Sequence, residues 1–264
     1  MTPVREALLL GLAHGPLELL PVSSSAHVAA IPSILGWQVA DWSGAARKEL
    51  EVALHAGTGA ALGWLLVRGR LQVGGLYSPR RAPVLACALV TPALAGLALE
   101  SAVEERLRGP AILALGLVAG AAGLAGADAR PGRRRAAAAG WRDGIWLGLA
   151  QAAALVPGVS RSGATLTAAR ARGFDRVAAS ELSWGVGLPV LLGAGGLKTA
   201  RVFAQGSWRA RGPALAAALA GAAASTLVAA KWLGTSRRAP LWPWAAWRVG
   251  LAASILAVGD NADS

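Results

Sequence analysis

The 264-residue chain contains one cysteine, one methionine, one tyrosine and two phenylalanines. Its lone cysteine, Cys87, lies in an apolar run, which excludes an intramolecular disulfide and a cysteine metal cluster. Charged residues are also scarce, at 15% against about 25% in a soluble domain. No Gly-Lys-Ser/Thr triplet occurs, so a Walker-type phosphate loop is excluded. The net charge is +12, yet the basic residues form no stripe on an amphipathic element, so no nucleic acid is expected as a partner. Membrane topology and contact with anionic membrane lipids explain them better.

Long apolar runs are abundant. They cover Leu50–Val67, Pro83–Leu99, Ala111–Ala125, Val177–Leu197, Pro213–Leu233 and Leu241–Val258, and mean hydropathy is +0.48. A soluble bundle would need polar helix faces, which these runs lack. Small flanking residues and tilt bring the shorter runs to spanning length. The chain therefore reads as an all-α polytopic membrane protein, a single integral membrane domain over residues 1–264. Trp37, Trp42, Trp141, Trp208, Trp242 and Trp244 sit near run ends, as interfacial anchors do. Arg5 before Ala7–Ala13 resembles a signal peptide, but Glu6, Pro16 and Glu18 interrupt the pattern, so the segment is expected to stay in the mature chain.

Two polar stretches interrupt the apolar background. Gly11–His27 reads GLAHGPLELLPVSSSAH, and Gly148–Thr165 reads GLAQAAALVPGVSRSGAT. At an offset of 137, Leu10–Ala13 fall on Leu147–Ala150, and Val22, Ser23 and Ser25 fall on Val159, Ser160 and Ser162. Both copies break at proline, Pro21 and Pro157, after apolar arms of about 10 to 12 residues, which suits a re-entrant helix better than a crossing. Three crossing candidates follow each copy, so the second is inverted relative to the first. This predicts an inverted-topology repeat, 1–126 and 141–264, joined by a basic linker over 127–140. One face collects Arg68, Arg70, Arg80, Arg81, Arg130, Arg133, Arg134, Arg135, Arg142, Arg170, Arg172, Arg176, Arg237 and Arg238. The other has Arg106 and Arg108 among glutamates, plus Arg47, Lys48, Arg201, Arg209 and Arg211. The richer face is read as cytoplasmic, which puts the first re-entrant element outside.

Polar groups inside a membrane are costly unless they serve a ligand or one another. In the second stretch, Ser160-Arg161-Ser162-Gly163-Ala164-Thr165 is a glycine-flanked turn opening a helix. Its N–H groups converge on one spot, and Arg161 adds a planar fork suited to phosphate oxygens. The purely structural alternative is a helix cap by Ser162 or Thr165 with Arg161 snorkelling. In the first stretch, Glu18 lies one turn after His14 on a shared face, a pair able to hold a divalent cation. Ser23, Ser24, Ser25 and His27 follow the proline break. A hydroxyl beside an imidazole, with a carboxylate to orient it, is an activated-nucleophile arrangement. The imidazole can also attack phosphorus itself. Weaker candidates are Glu51 with His55, one turn apart, and Glu181.

These residues resemble the undecaprenyl-diphosphate phosphatases, the bacitracin-resistance membrane family. Two motifs carry the resemblance, Glu18–His27 (ELLPVSSSAH) and Pro157–Thr165 (PGVSRSGAT). Ala179–Ser183 (ASELS) followed by Pro189 supports it. The resemblance implies six transmembrane helices plus two re-entrant helical hairpins in the bacterial inner membrane. It implies hydrolysis of a polyprenyl diphosphate lipid, undecaprenyl diphosphate, on the periplasmic face, with magnesium or calcium as cofactor. A homodimer is one assembly left open. By matching position, Glu18, Ser24, His27 and Arg161 are expected to be catalytic and Ser23, Ser25, Ser160 and Ser162 to contact substrate; Gly163 and Thr165 of the same turn are expected to bind substrate with them, and Glu18 with His14, one helical turn apart, to hold the metal. The chain departs from the family at His14, where Glu or Gln is usual, at His55, where Gln is typical, and at Ala26, usually Gly. A neutral imidazole suits a hard cation less well than a carboxylate does, which bears on metal preference and pH optimum. The alternative reading, motivated by the inverted repeat, is a flippase of undecaprenyl phosphate. A serine hydrolase fits poorly, because the serine turn carries an arginine at its centre.

Overall fold

In the computed structural model, residues 1–71, 73, 75–107 and 109–262 are described. Arg108, counted above in the loop charge, lies outside them. The described residues form ten helices and no strand: α1 (Pro3–Leu19), α2 (Ser24–Ile34), α3 (Gly44–Val67), α4 (Ala82–Arg106), α5 (Pro110–Asp128), α6 (Trp141–Ala153), α7 (Arg161–Ala171), α8 (Arg176–Gln205), α9 (Gly212–Ser236) and α10 (Trp242–Ala262). This is an all-α, multi-pass membrane protein. Segments within α3, α4, α5, α8 and α9 are long and apolar enough to cross a bilayer. The sixth apolar run forms α10, of 21 residues; Pro243, three tryptophans and Arg248 dilute its hydropathy. The helices α2 and α7, of 11 residues each, reach about 16 Å, half of a hydrocarbon core. α1 runs to 17 residues, longer than its sequence pattern suggests, because Pro16 is accommodated inside it.

The chain divides into two compact units, each drawing on both halves of the sequence. Unit 1 holds Met1–Leu19, His27–Leu71 and Val190–Gly234; unit 2 holds Leu20–Ala26, Gln72–Pro189 and Thr235–Ser264.

Unit 1 is built on close helix contact through small residues, the usual device where lipid removes the hydrophobic drive between helices. A methyl group added at Gly11 would stand 2.4 Å from the Ala218 carbonyl oxygen, and one at Gly57 2.2 Å from that of Leu219. Across the same contact, Ser225 Oγ donates to the Gly11 carbonyl at 2.9 Å and accepts from the Gly15 N–H at 3.2 Å. Leu10, Leu50, Leu54, Leu215 and Ala218 fill the core beside it. Buried Glu6 accepts the Val39 N–H at 3.1 Å, and Arg211 pairs with buried Glu49 at 2.9 Å.

Unit 2 packs α6 on α4 and sets α5 against α7 and α10. Gly144 lets α6 approach the Val84 carbonyl, and Gly116 leaves room for the Pro157 carbonyl. Two buried aspartates gather the basic residues. Asp128 accepts from Arg170 Nε (3.1 Å), Arg176 Nε (2.8 Å) and Nη2 (2.9 Å), and the Leu241 N–H (2.9 Å). Asp143 accepts from both Arg134 Nη atoms, Arg172 Nε and the Gly140 N–H. Several arginines that the loop count treats as topological charge are thus structural. Elsewhere the surface is strongly apolar: Val67, Leu97, Leu115 and Val228 are all exposed, a pattern that needs a bilayer over it.

Two predictions follow from this packing. Gly116→Ala puts a methyl group against the Pro157 carbonyl and is expected to cost about 1–3 kcal/mol. Gly126→Ala, in open space on the same helix, should be neutral or slightly stabilising; thermal melting of the two variants in detergent checks this. At Asp143, burial pushes the carboxyl up, but hydrogen bonds from Arg134, Gly140 and Arg172 outweigh it and hold it below the usual aspartate value. A depressed carboxyl stabilises the fold above its unfolded value, about 3.9, and loses that contribution as pH falls through the folded one. The melting-temperature gap between wild type and Asp143→Asn should therefore be fullest at neutral pH and shrink below about pH 4.

Candidate functional site

In unit 1, α1 carries His14 and Glu18 on one face, and α3 sets His55 against them. The His14 and His55 rings meet edge to face, with centroids 4.7 Å apart. One ligand atom from each of His14, Glu18 and His55 can be chosen so that all lie within 4.8 Å of one another. His55 Nε2 stands 3.7 Å from Glu18 Oε2. His14 is completely buried, with Nδ1 bonded to Thr58 Oγ1 at 2.9 Å, and Thr58 is held in turn by Thr226 Oγ1 at 3.2 Å. Its Nε2 has no hydrogen-bond partner among the described residues. His27, further along the first motif, is also buried, in α2.

In unit 2 the two serine turns meet. Ser23 (φ 69°) and Ser160 (φ 57°) are the non-glycine residues at positive φ among those described, and they are repeat equivalents. Each costs on the order of 1–3 kcal/mol of backbone strain. Each also bonds the serine two residues on: Ser23 Oγ to Ser25 Oγ at 3.4 Å, and Ser160 Oγ to Ser162 Oγ at 3.3 Å. The short helices start at matching positions, Ser24 and Arg161. Ser162 Oγ then donates to the Leu20 carbonyl at 3.2 Å, joining the second turn to the chain leading into the first. Because that carbonyl can only accept, the proton order is fixed: Ser162 donates to Leu20, Ser160 donates to Ser162, and Ser160 accepts the Gly163 N–H at 3.2 Å.

The helix cap is therefore Ser160, where the sequence suggests Ser162 or Thr165 as the structural alternative. Thr165 is completely buried, its hydroxyl bonded to the Arg161 carbonyl (2.9 Å) and to Ser183 Oγ (2.6 Å). Ser24 is buried, Ser25 is exposed, and Arg161 is half-buried, its guanidinium lying against Gly187. Glu181 lies 4.0 Å from Arg237 in this unit.

One residue here escapes the motif reading. Arg248, 0% exposed, extends from α10 to the base of the second turn. Its Nη2 donates to the Gly158 carbonyl at 2.9 Å and the Gly116 carbonyl at 3.4 Å, while Nε and Nη1 have no partner among the described residues. A Cβ at Gly163 would stand 2.6 Å from its Nη1 and one at Gly120 2.0 Å from its Nη2, so both glycines make room for the guanidinium. A lone arginine inside an apolar run is itself a functional signal. Gly163→Ala should displace Arg248 and, with it, the turn. The expected result is a lower melting temperature in detergent, whereas Gly195→Ala, with nothing within 4 Å, should leave it unchanged.

Comparison with known proteins fits these motifs. The family model described as "Bacitracin resistance protein BacA" matches residues 7–254. A protein of Pelotomaculum thermopropionicum named undecaprenyl-diphosphatase is 35% identical, covering 96% of this chain and 97% of its own length. Proteins of the same name from Geobacter sulfurreducens and Marinobacter nauticus are 34% and 31% identical, each covering 96% of the chain and 97% and 98% of their own lengths. Both motifs, the serine turns and the cluster on α1 lie inside the matched region. The chain belongs to the bacitracin resistance protein BacA family.

Proposed function

We infer that this protein hydrolyses undecaprenyl diphosphate to undecaprenyl phosphate and inorganic phosphate. The reaction returns the lipid carrier to peptidoglycan synthesis and confers bacitracin resistance. Family membership over residues 7–254 supports the reaction. The observation that carries the chemistry is the serine-turn pair in unit 2. It offers the N-terminal N–H groups of α7 and the Arg161 guanidinium, donors suited to an anion, on a turn whose Ser160 and Ser162 hydroxyls hold the backbone in place. The arginine-rich face of the loop count supports a bacterial inner-membrane setting with the substrate taken from the periplasmic side.

The roles follow from the chemistry of each group. Arg161 and the turn N–H groups hold the phosphates and stabilise the charge that develops as the anhydride bond breaks. Ser160 and Ser162 keep the second turn in register, Ser23 and Ser25 do the same in the first, and Gly163 and Thr165 serve the helix start beneath them. The nucleophile is Ser24 activated by His27, or His27 itself. It bonds the terminal phosphorus as undecaprenyl phosphate leaves, and water then releases phosphate. The cluster of His14, Glu18 and His55 suits a divalent cation, with Glu18 and His14 as holders. When bound, the cation neutralises phosphate charge and acts as a Lewis acid.

Phosphate release from undecaprenyl diphosphate by the detergent-purified protein tests this reading, with and without added divalent cation. Arg161→Ala is expected to lower kcat by about 10²–10³. Near-normal turnover in that variant would remove Arg161 from the chemistry, and no release from folded wild type would overturn the activity itself.

A further inference from the structure

The unit 1 cluster brings together two imidazoles and a carboxylate. The Glu51 carbonyl can only accept, so His55 Nδ1, 2.9 Å away, carries the proton, and the lone pair of the neutral ring stands on Nε2. That atom faces a Glu18 carboxylate oxygen at 3.7 Å. The Nδ1 of His14 is bonded to the Thr58 hydroxyl, which can donate or accept, and its Nε2 is buried without a hydrogen bond among the described residues. A metal ion can serve all three. Second-sphere bonds to both Nδ1 atoms, one to a carbonyl and one to a hydroxyl, are what metal-bound histidines need to fix ring orientation.

We propose that His14, Glu18 and His55 form a three-ligand site for a nitrogen-favouring divalent ion of the first transition row, zinc or cobalt in class, in preference to magnesium or calcium. Magnesium and calcium take oxygen ligands, and magnesium keeps most of its water. Two imidazoles and one carboxylate are the donors of a catalytic zinc site, which leaves a position open for a substrate oxygen. Three ligands around 2.1 Å from one tetrahedral ion stand about 3.4 Å apart. The ligand atoms lie within 4.8 Å of one another, so each has to move inward by about an ångström to bind. His55 is 24% exposed, while Glu18 is 8% exposed and His14 fully buried, so the cluster is open on the His55 side. The proposal rests on the phosphatase reading only for the use made of the ion, since binding can be measured without substrate.

The experiment is metal titration of the full-length protein in detergent after chelator treatment, using zinc, cobalt, magnesium and calcium alone. The expected result is one zinc per chain, bound at least about 10-fold more tightly than magnesium or calcium. Cobalt should give the intense visible bands of a four- or five-coordinate ion. Thr58→Val, which removes only the second-sphere hydroxyl, should weaken zinc binding about 10–100-fold. His14→Glu combined with His55→Gln, which turns nitrogen donors into oxygen donors, should lower the zinc preference. Equal affinity for magnesium and zinc would overturn the proposal, as would zinc affinity unchanged in His55→Ala, or a cobalt spectrum no different from the hydrated ion. Phosphate release measured in parallel separates the two readings. Magnesium-supported hydrolysis with no zinc site sinks this proposal and leaves the activity standing; a tight zinc site without hydrolysis does the reverse.

Discussion

Asp128 is the charge on which unit 2 closes. Arg170 from the end of α7, Arg176 from the start of α8 and the Leu241 N–H ahead of α10 all converge on a carboxylate at the end of α5. Arg170 is as deeply buried as the aspartate, so removing Asp128 would strand a buried guanidinium without its counter-charge, a loss of several kcal/mol in general. Because α7 is a rigid rod of 11 residues, fixing its far end at Arg170 also fixes the near end. There the serine turn is held by Ser160, by the Leu20 carbonyl and from below by Arg248. The strained backbone at Ser160 persists because both ends of its helix are over-determined.

Each unit gathers polar groups within an apolar helical frame. Unit 2 gathers the N–H groups that open α7 and the Arg161 guanidinium; unit 1 gathers two imidazoles and a carboxylate. Glycines bring helices close enough for carbonyls to be covered, and hydroxyls such as Ser225 and Thr226 bond back to the preceding turn of α9.

The two serine turns share one local geometry. An offset of 137 aligns the two stretches, and the structure places the same strained serine, the same serine pair and the same helix start at aligned positions. Beyond the turns the copies diverge. His14 aligns with Gln151, whose amide donates to the Ala88 carbonyl at 2.9 Å and makes a packing contact rather than a ligand set. At this position one copy carries a buried imidazole beside Glu18 and His55, and the other an amide that joins α6 to α4.

Local pattern determined much by itself: the helical membrane class, the two broken helices, the pairing of His14 with Glu18 one turn apart, and the anion-suited turn at Arg161. These follow from hydropathy, proline and helical periodicity, all of which act over a few residues. The sequence left other features undecided, because they join residues far apart in the chain. His55 enters the cluster from α3 only because Gly11, Gly15 and Gly57 let helices approach within van der Waals contact. Arg248 reaches the serine turn only because Gly120 and Gly163 lack side chains. Loop arginines that look like topology signals turn out to clasp Asp128 and Asp143. Periodicity fixes which face of a helix is polar; only tertiary packing, through where the glycines fall and which buried charge needs a partner, decides what that face meets.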